Sequence, residues 1–187
     1  MMQFRLTTSI TFLFLFFLMI SCTKKSALEI TIECANSSDI MNSKKYIDVN
    51  KNYQITIPNN WKVQKYYDAY QSDIFAADTL KQLTQTYILN TSFKNGELEL
   101  NTEFELKIKN STLNEIIASE FEVINEKFTF WYLTEGIKNN YKYHELVLYF
   151  KTSVDTYLQV SVEIYGDDLV NERLCEAISI IKTIKFI

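Results

Sequence analysis

An α+β fold, an antiparallel sheet covered by helices, is what this 187-residue chain predicts. Two observations carry that expectation. Apolar and polar residues alternate in several runs beyond residue 50, the mark of strands with one buried face. Two stretches near residues 112–121 and 168–182 instead space their apolar residues as a helix does. Strands joined by short turns make antiparallel pairs, and their apolar faces then need helices as covers.

Composition narrows the class. Hydrophobic residues make up 47% of the chain and the formal net charge is −4. That is too apolar and too weakly charged for disorder. Three Gly and one Pro exclude collagen-like and low-complexity chains. A mildly acidic chain is a poor nucleic-acid binder, so no nucleic-acid partner is expected. Lys outnumbers Arg 17 to 2, and Asn, Ile, Phe and Tyr are abundant, the bias of an AT-rich genome. That bias alone supplies many of the 12 Tyr.

Residues 1–21 form a separate unit. One cation, Arg5, precedes an 11-residue apolar core from Ile10 to Ile20, interrupted only by Thr11. A spanning helix needs about 20 apolar residues, so this core reads as a secretory signal. It ends in Met19-Ile20-Ser21-Cys22, which resembles the lipobox of bacterial lipoproteins. The resemblance implies lipidation of the Cys22 thiol, acylation by groups such as palmitate, and cleavage after Ser21. Ile20 and Met19 depart from the commoner residues at their positions. Thr23 follows where Asp would mark inner-membrane retention, which favours the outer membrane. Lys24 and Lys25 replace the acidic residues that mark surface export, which favours its periplasmic face. The resemblance thus implies a cell-envelope protein attached to the membrane through lipid.

Three segments follow: 1–21 as signal peptide, 22–45 as lipidated tether and N-terminal segment, and 46–187 as the folded domain. Within 22–45, Leu28, Ile30, Ile32 and Cys34 alternate with polar residues as a short strand would. Tyr53, Ile55 and Ile57 alternate next, and Pro58, lacking an N–H, ends that strand. Residues 66–78 read as a strand pair, with a helix over 74–83 as the alternative. Residues 86–93 are a strand, and Asn95-Gly96 signals a hairpin. The clearest alternation follows: Leu98, Leu100, Thr102, Phe104, Leu106 and Ile108 on one face, with Glu99, Glu103 and Glu105 toward solvent. Thr112 and Glu115 make a capping-box pattern ahead of Leu113, Ile116, Ile117 and Phe121 on one helical face. Strands are expected at 127–133, 141–151 and 156–165. Asp167 or Asp168 can cap a final helix over 168–182 that buries Val170, Leu174, Ala177, Ile178 and Ile181. An apolar tail, 184–187, closes the chain.

This element order, with Ile57, Pro58 and Trp61 in YQITIPNNW and the closing IIKTIKF, resembles the PsbP-like fold and its DcrB-like bacterial lipoproteins over residues 46–187. The resemblance implies an α/β/α sandwich and a non-catalytic accessory or binding module. It carries over no catalytic residue.

Chemistry-bearing motifs are sparse. Cys34 and Cys175 remain once Cys22 is lipidated, and an exported pair is often oxidised. A disulfide and two separate buried thiols both remain open at this stage. His144 is the only histidine, too few for a His-rich metal site. No Gly-x-Ser-x-Gly, phosphate-cradling Gly loop or Cys-x-x-Cys occurs, so no cofactor, metal or catalytic set is expected. The remaining lead is aromatic. Trp61, Tyr66, Tyr67 and Tyr70 lie close in sequence, and Tyr141, Tyr143, Tyr149, Tyr157 and Tyr165 share outward positions on two neighbouring strands. Such rings pack beneath a covering helix or form a binding surface. The reading is a lipid-anchored, non-enzymatic module for an envelope protein partner. The alternatives are a lipoprotein that binds small molecules or carbohydrate in an aromatic cleft, and an immunity-type lipoprotein that binds a toxin.

Overall fold

Seven strands form one antiparallel sheet in the computed structural model, which describes residues 25–35, 40 and 42–187. The chain opens with a helix, α1 (Ala27–Thr31), then β1 (Ser43–Ile47) and β2 (Tyr53–Pro58). Next come β3 (Lys62–Tyr67), β4 (Gln71–Ala77), a single 3₁₀ turn at Leu83–Gln85, β5 (Tyr87–Asn95) and α2 (Thr102–Ser111). Four strands follow, β6 (Glu115–Ile124), β7 (Lys127–Lys138), β8 (Tyr141–Lys151) and β9 (Thr156–Tyr165), then α3 (Val170–Ile181) and β10 (Lys185–Phe186). The large sheet has the order β3-β4-β5-β9-β8-β7-β6, and β1-β2-β10 make a small second sheet. The expected α+β architecture with an antiparallel sheet is therefore present.

Three local expectations are overturned. The alternating run from 28 to 34 is a helix, because Ser26 and Glu29 make a reciprocal capping box. Leu28 and Ile32, four apart, are buried while Ile30 is 62% exposed. The run from 98 to 109 is not a strand either. Asn101 accepts the Phe104 amide at 2.9 Å and starts α2, and Glu105 pairs with Lys109 one turn on. Leu100, Phe104 and Ile108, spaced by four, satisfy a helical face as well as an alternating one. Glu103 and Glu105 consequently sit in the first helical turn, where they favour the helix dipole. Conversely, Thr112 ends α2, and residues 115–124 are strand β6. No helix spans 74–83; the chain there completes β4 and turns.

The two faces of the sheet are covered differently. One presents Leu146, Leu148, Phe150, Leu158, Val160, Val162 and Ile164 to the main core, which α3, α1 and the small sheet close. The N-terminal segment belongs to this core, since Leu28, Ile32 and Cys34 are at most 5% exposed. Tyr53 of β2 reaches the large sheet, and its hydroxyl bonds the Thr91 carbonyl at 3.0 Å. On the opposite face, α2 covers only a smaller cluster of Leu100, Phe130, Tyr132 and Val147.

The last helix starts without the expected cap. Neither Asp167 nor Asp168 caps it; Leu169 holds the N-cap position with a left-handed φ of 50°. Asp167 instead pairs with Lys142 at 3.3 Å. Arg173, 6% exposed, donates to the carbonyls of Thr86, Tyr165 and Gly166. It joins α3 to the ends of β9 and the 3₁₀ segment.

Candidate functional site

The aromatic residues singled out from the sequence do not form one surface. Trp61 is 7% exposed and packs edge-on against Tyr87 in the main core, ring centroids 4.8 Å apart. Tyr66, Tyr67 and Tyr70 are exposed on the β3–β4 hairpin. Tyr66 and Tyr67 are successive strand residues, so they point to opposite faces. Tyr141, 46% exposed, lies at the open end of β8.

The other four do share a neighbourhood, on the face that α2 covers in part. Across β8 and β9, Tyr143 stands opposite Tyr165, Glu145 opposite Glu163, Tyr149 opposite Gln159 and Lys151 opposite Tyr157. Tyr149 lies under α2, edge-on to Phe104 at 5.1 Å, and Tyr157 is tilted against it at 6.4 Å. Beyond the reach of α2, Tyr143 and Tyr165 form a T-shaped pair at 5.1 Å.

Two carboxylates and a lysine complete this patch. Like charges directly opposite on neighbouring strands destabilise a sheet, so Glu145 and Glu163 need compensation. Lys138 of β7 supplies it: its Nζ lies 2.9 Å from Glu163 and 4.6 Å above the Tyr143 ring. The Tyr165 ring lies 5.7 Å from the same ammonium, and the Tyr165 hydroxyl donates to Glu163 at 2.9 Å. Burial opposes the Lys138 charge, but the bonds to Glu163 and Tyr165 outweigh it and hold its pKa above the usual lysine range. Glu145 is less well served. Burial first, then the charge of Glu163, push its carboxyl above the ordinary carboxylate range. Burial likewise raises the Tyr143 and Tyr149 phenols, which stay protonated donors at neutral pH. Tyr143 and Tyr165 are only 2% and 5% exposed, so their rings and Lys138 pack against one another and close this end of the sheet rather than forming an open aromatic surface.

Glu145, Glu163 and Lys138 were not singled out from the sequence. The signal was there: both Glu share strand parity with the outward Tyr positions. His144, on the other face, has its Nε2 3.9 Å from Glu135. Burial lowers its pKa, opposed by Glu135 and Asp167 and reinforced by Arg173 and Lys142. Among the described residues, no group of three or more His, Cys, Asp or Glu is placed to hold a metal ion.

A second feature is the strap that α1 makes across the main core. Cys34 and Cys175 are joined as a disulfide, Cα atoms 5.4 Å apart, tying the strap to α3. Glu122 of β6 accepts the Ala27 and Leu28 amides at 3.0 and 2.9 Å, as well as the Trp131 indole N–H at 2.8 Å. Glu29, 5% exposed, pairs with Lys182 at 2.7 Å. Burial opposes its charge, but Lys182 and Ser26 still hold its carboxyl below the usual range. A cavity of about 380 Å³ opens beside the strap, with Lys25, Leu28, Val123, Ile124, Ile178 and Ile181 in its wall. Cys22 lies outside the described residues. No helix among the described residues is long and apolar enough to cross a membrane.

No protein-family model and no curated protein sequence matches the chain. Solved structures do resemble it in fold. A protein from Bacteroides thetaiotaomicron aligns with TM-score 0.56 at 12% identity, over 79% of this chain and 49% of its own. The chain thus spans about half the length of that protein. The Saccharomyces cerevisiae Ran-binding protein Mog1p aligns with TM-score 0.52 at 9% identity, over 78% of this chain and 96% of its own. A point variant of protein Mog1 aligns with the same values. At these identities the likeness is one of fold: a sheet combined with helices.

Proposed function

We propose that this chain is a bacterial lipoprotein, anchored through Cys22, whose PsbP-like α/β/α domain is a non-catalytic binding or accessory module at the periplasmic face of the outer membrane. The observation that carries the reading is the spacing of the cysteines and the fold. Among the described residues, α1 starts five residues after Cys22. The strap it opens is closed by the Cys34–Cys175 disulfide. Disulfides persist in oxidising compartments, which suits a chain exported by its first 21 residues. A fold shared with a Ran-binding protein suits a protein-binding role, with an envelope protein as the partner.

The experiment is C22A, expressed in a bacterial host that lipidates exported proteins. The wild-type chain should float with membranes and enter the detergent phase, and C22A should be recovered as soluble protein. Retention of C22A on membranes would overturn the anchor. Crosslinking and pull-down from solubilised membranes would then identify the partner.

A further inference from the structure

We infer that the tip of the β6–β7 hairpin rests against the bilayer that carries the anchor; this placement rests on lipidation at Cys22. Cys22 and Lys25 are three residues apart, so their Cα atoms are at most about 11 Å from each other. The strap that follows cannot pay out more chain. Its start is bonded to Glu122, its middle to Lys182, and its end to Cys175. Whatever lies near Lys25 is therefore held near the membrane surface.

What lies there is the hairpin tip. Lys25 and Val123 share the wall of the same cavity. Asn125 and Glu126 form the turn, both with left-handed φ, and the Asn125 side chain donates to the Ile181 carbonyl at 2.9 Å. The tip is thus fixed to α3. Val123 and Phe128 stand opposite each other across the tip, 67% and 45% exposed, and Phe128 stacks on Phe121 at 5.9 Å. Lys127 lies over the Phe186 ring at 5.3 Å, and Lys25 is exposed. Glu126 is the carboxylate at the turn itself. Val123 and Phe128 project on the α2 side of the hairpin, and Lys127 and Lys25 on its main-core side. Lys25 Nζ also donates to the Cys34 carbonyl at 2.6 Å. The tip thus presents an apolar edge on one side and cations on the other. Such an end suits an anionic headgroup layer, with the apolar groups entering the acyl boundary.

The test uses the full lipidated chain in vesicles of phosphatidylethanolamine and phosphatidylglycerol, with or without brominated phosphatidylcholine. V123W places an indole on the apolar edge. L113W places one just before the other end of β6, at a site even more exposed than Val123. Trp61 and Trp131 are buried and give both variants the same background. Near-ultraviolet dichroism confirms that each variant is folded. V123W should lose on the order of a third or more of its emission in brominated vesicles, because interfacial side chains sit about 5–10 Å into the headgroup boundary. L113W should lose no more than the background. Flotation and the intact mass report lipidation separately. An anchored V123W with no quenching, or equal quenching of L113W, overturns the placement and leaves the anchor standing. A chain that carries no lipid and does not float overturns both.

Discussion

Glu145 and Glu163 stand directly opposite each other on β8 and β9, and only Glu163 holds the Lys138 ammonium, at 2.9 Å. Glu145 is left with burial and a neighbouring charge, which raise its pKa. A carboxyl with a folded pKa above its unfolded value binds its proton more tightly in the folded state. Its contribution to stability is therefore fully present below the unfolded carboxylate range. It is lost as pH rises through the folded pKa. E145Q should accordingly raise Tm at pH 8 and leave it nearly unchanged at pH 4, so that stability rises more steeply, or falls less, with pH between the two. Thermal unfolding across that range checks this. A uniform Tm shift at every pH would show that the charge is not the cause.

Glu122 is the second carboxylate whose position matters more than its exposure suggests. It satisfies the first two amides of α1 and the indole of Trp131, which is 1% exposed. E122A leaves a buried indole N–H without a partner and frees the start of the strap. The expected cost is about 2–3 kcal/mol, or roughly 4–12 °C in Tm for a domain of this size. E122Q keeps an acceptor oxygen and should lose less. Hydrogen exchange should report faster opening of residues 27–32 in E122A than in the native chain. Unchanged exchange there would contradict the strap's dependence on Glu122.

The long strands were legible because their faces differ chemically. Leu158, Val160, Val162 and Ile164 all meet the core, and β8 and β9 fall on the residues expected for them. The two helices that alternation hid are short and depend on single caps. A run such as Leu100, Phe104, Ile108 fits periods of both two and four, and only Asn101 and the Glu105–Lys109 pair decide it. Residues 115–124 failed the other way. Ile116 and Phe121 face α2 while Ala118 faces the main core, and a register shift between Ile116 and Ala118 breaks the strand period there. For the site, Tyr parity on β8 and β9 was visible but its division by α2 was not, since coverage depends on where a distant helix docks. Trp61 shows the same limit. Beside three exposed tyrosines in sequence, it turns inward against Tyr87.

The Cys34–Cys175 bridge closes a sequence separation of 141 residues. Loop-closure entropy for a loop of that length gives about 4–5 kcal/mol, and removal of native disulfides costs about 2–5 kcal/mol. A C34S/C175S chain should lose stability in that range and expose Leu28 and Ile32 by release of the strap. Alkylation with and without reductant, followed by intact mass, counts the bridged thiols. Two thiols reactive without reductant would contradict the bridge.

Leu169 offers a prediction in the opposite direction. It begins α3 at φ 50° with no side-chain cap, and it is 66% exposed. Left-handed backbone costs an L-residue with a bulky side chain about 1–2 kcal/mol, and Asn pays less because its amide bonds locally. Nothing in the core depends on the Leu169 side chain. L169N should therefore stabilise the domain by about 1 kcal/mol, or roughly 2–4 °C in Tm. The gain should be independent of pH between 5 and 8, roughly the range in which no carboxylate or lysine of ordinary pKa changes charge. L169A separates the two contributions, since it removes the side-chain bulk without supplying an amide. If L169A gains as much as L169N, relief at the β-carbon substituent is the whole effect. A loss of stability in L169N would show that the exposed leucine makes a favourable contact its backbone strain is there to secure.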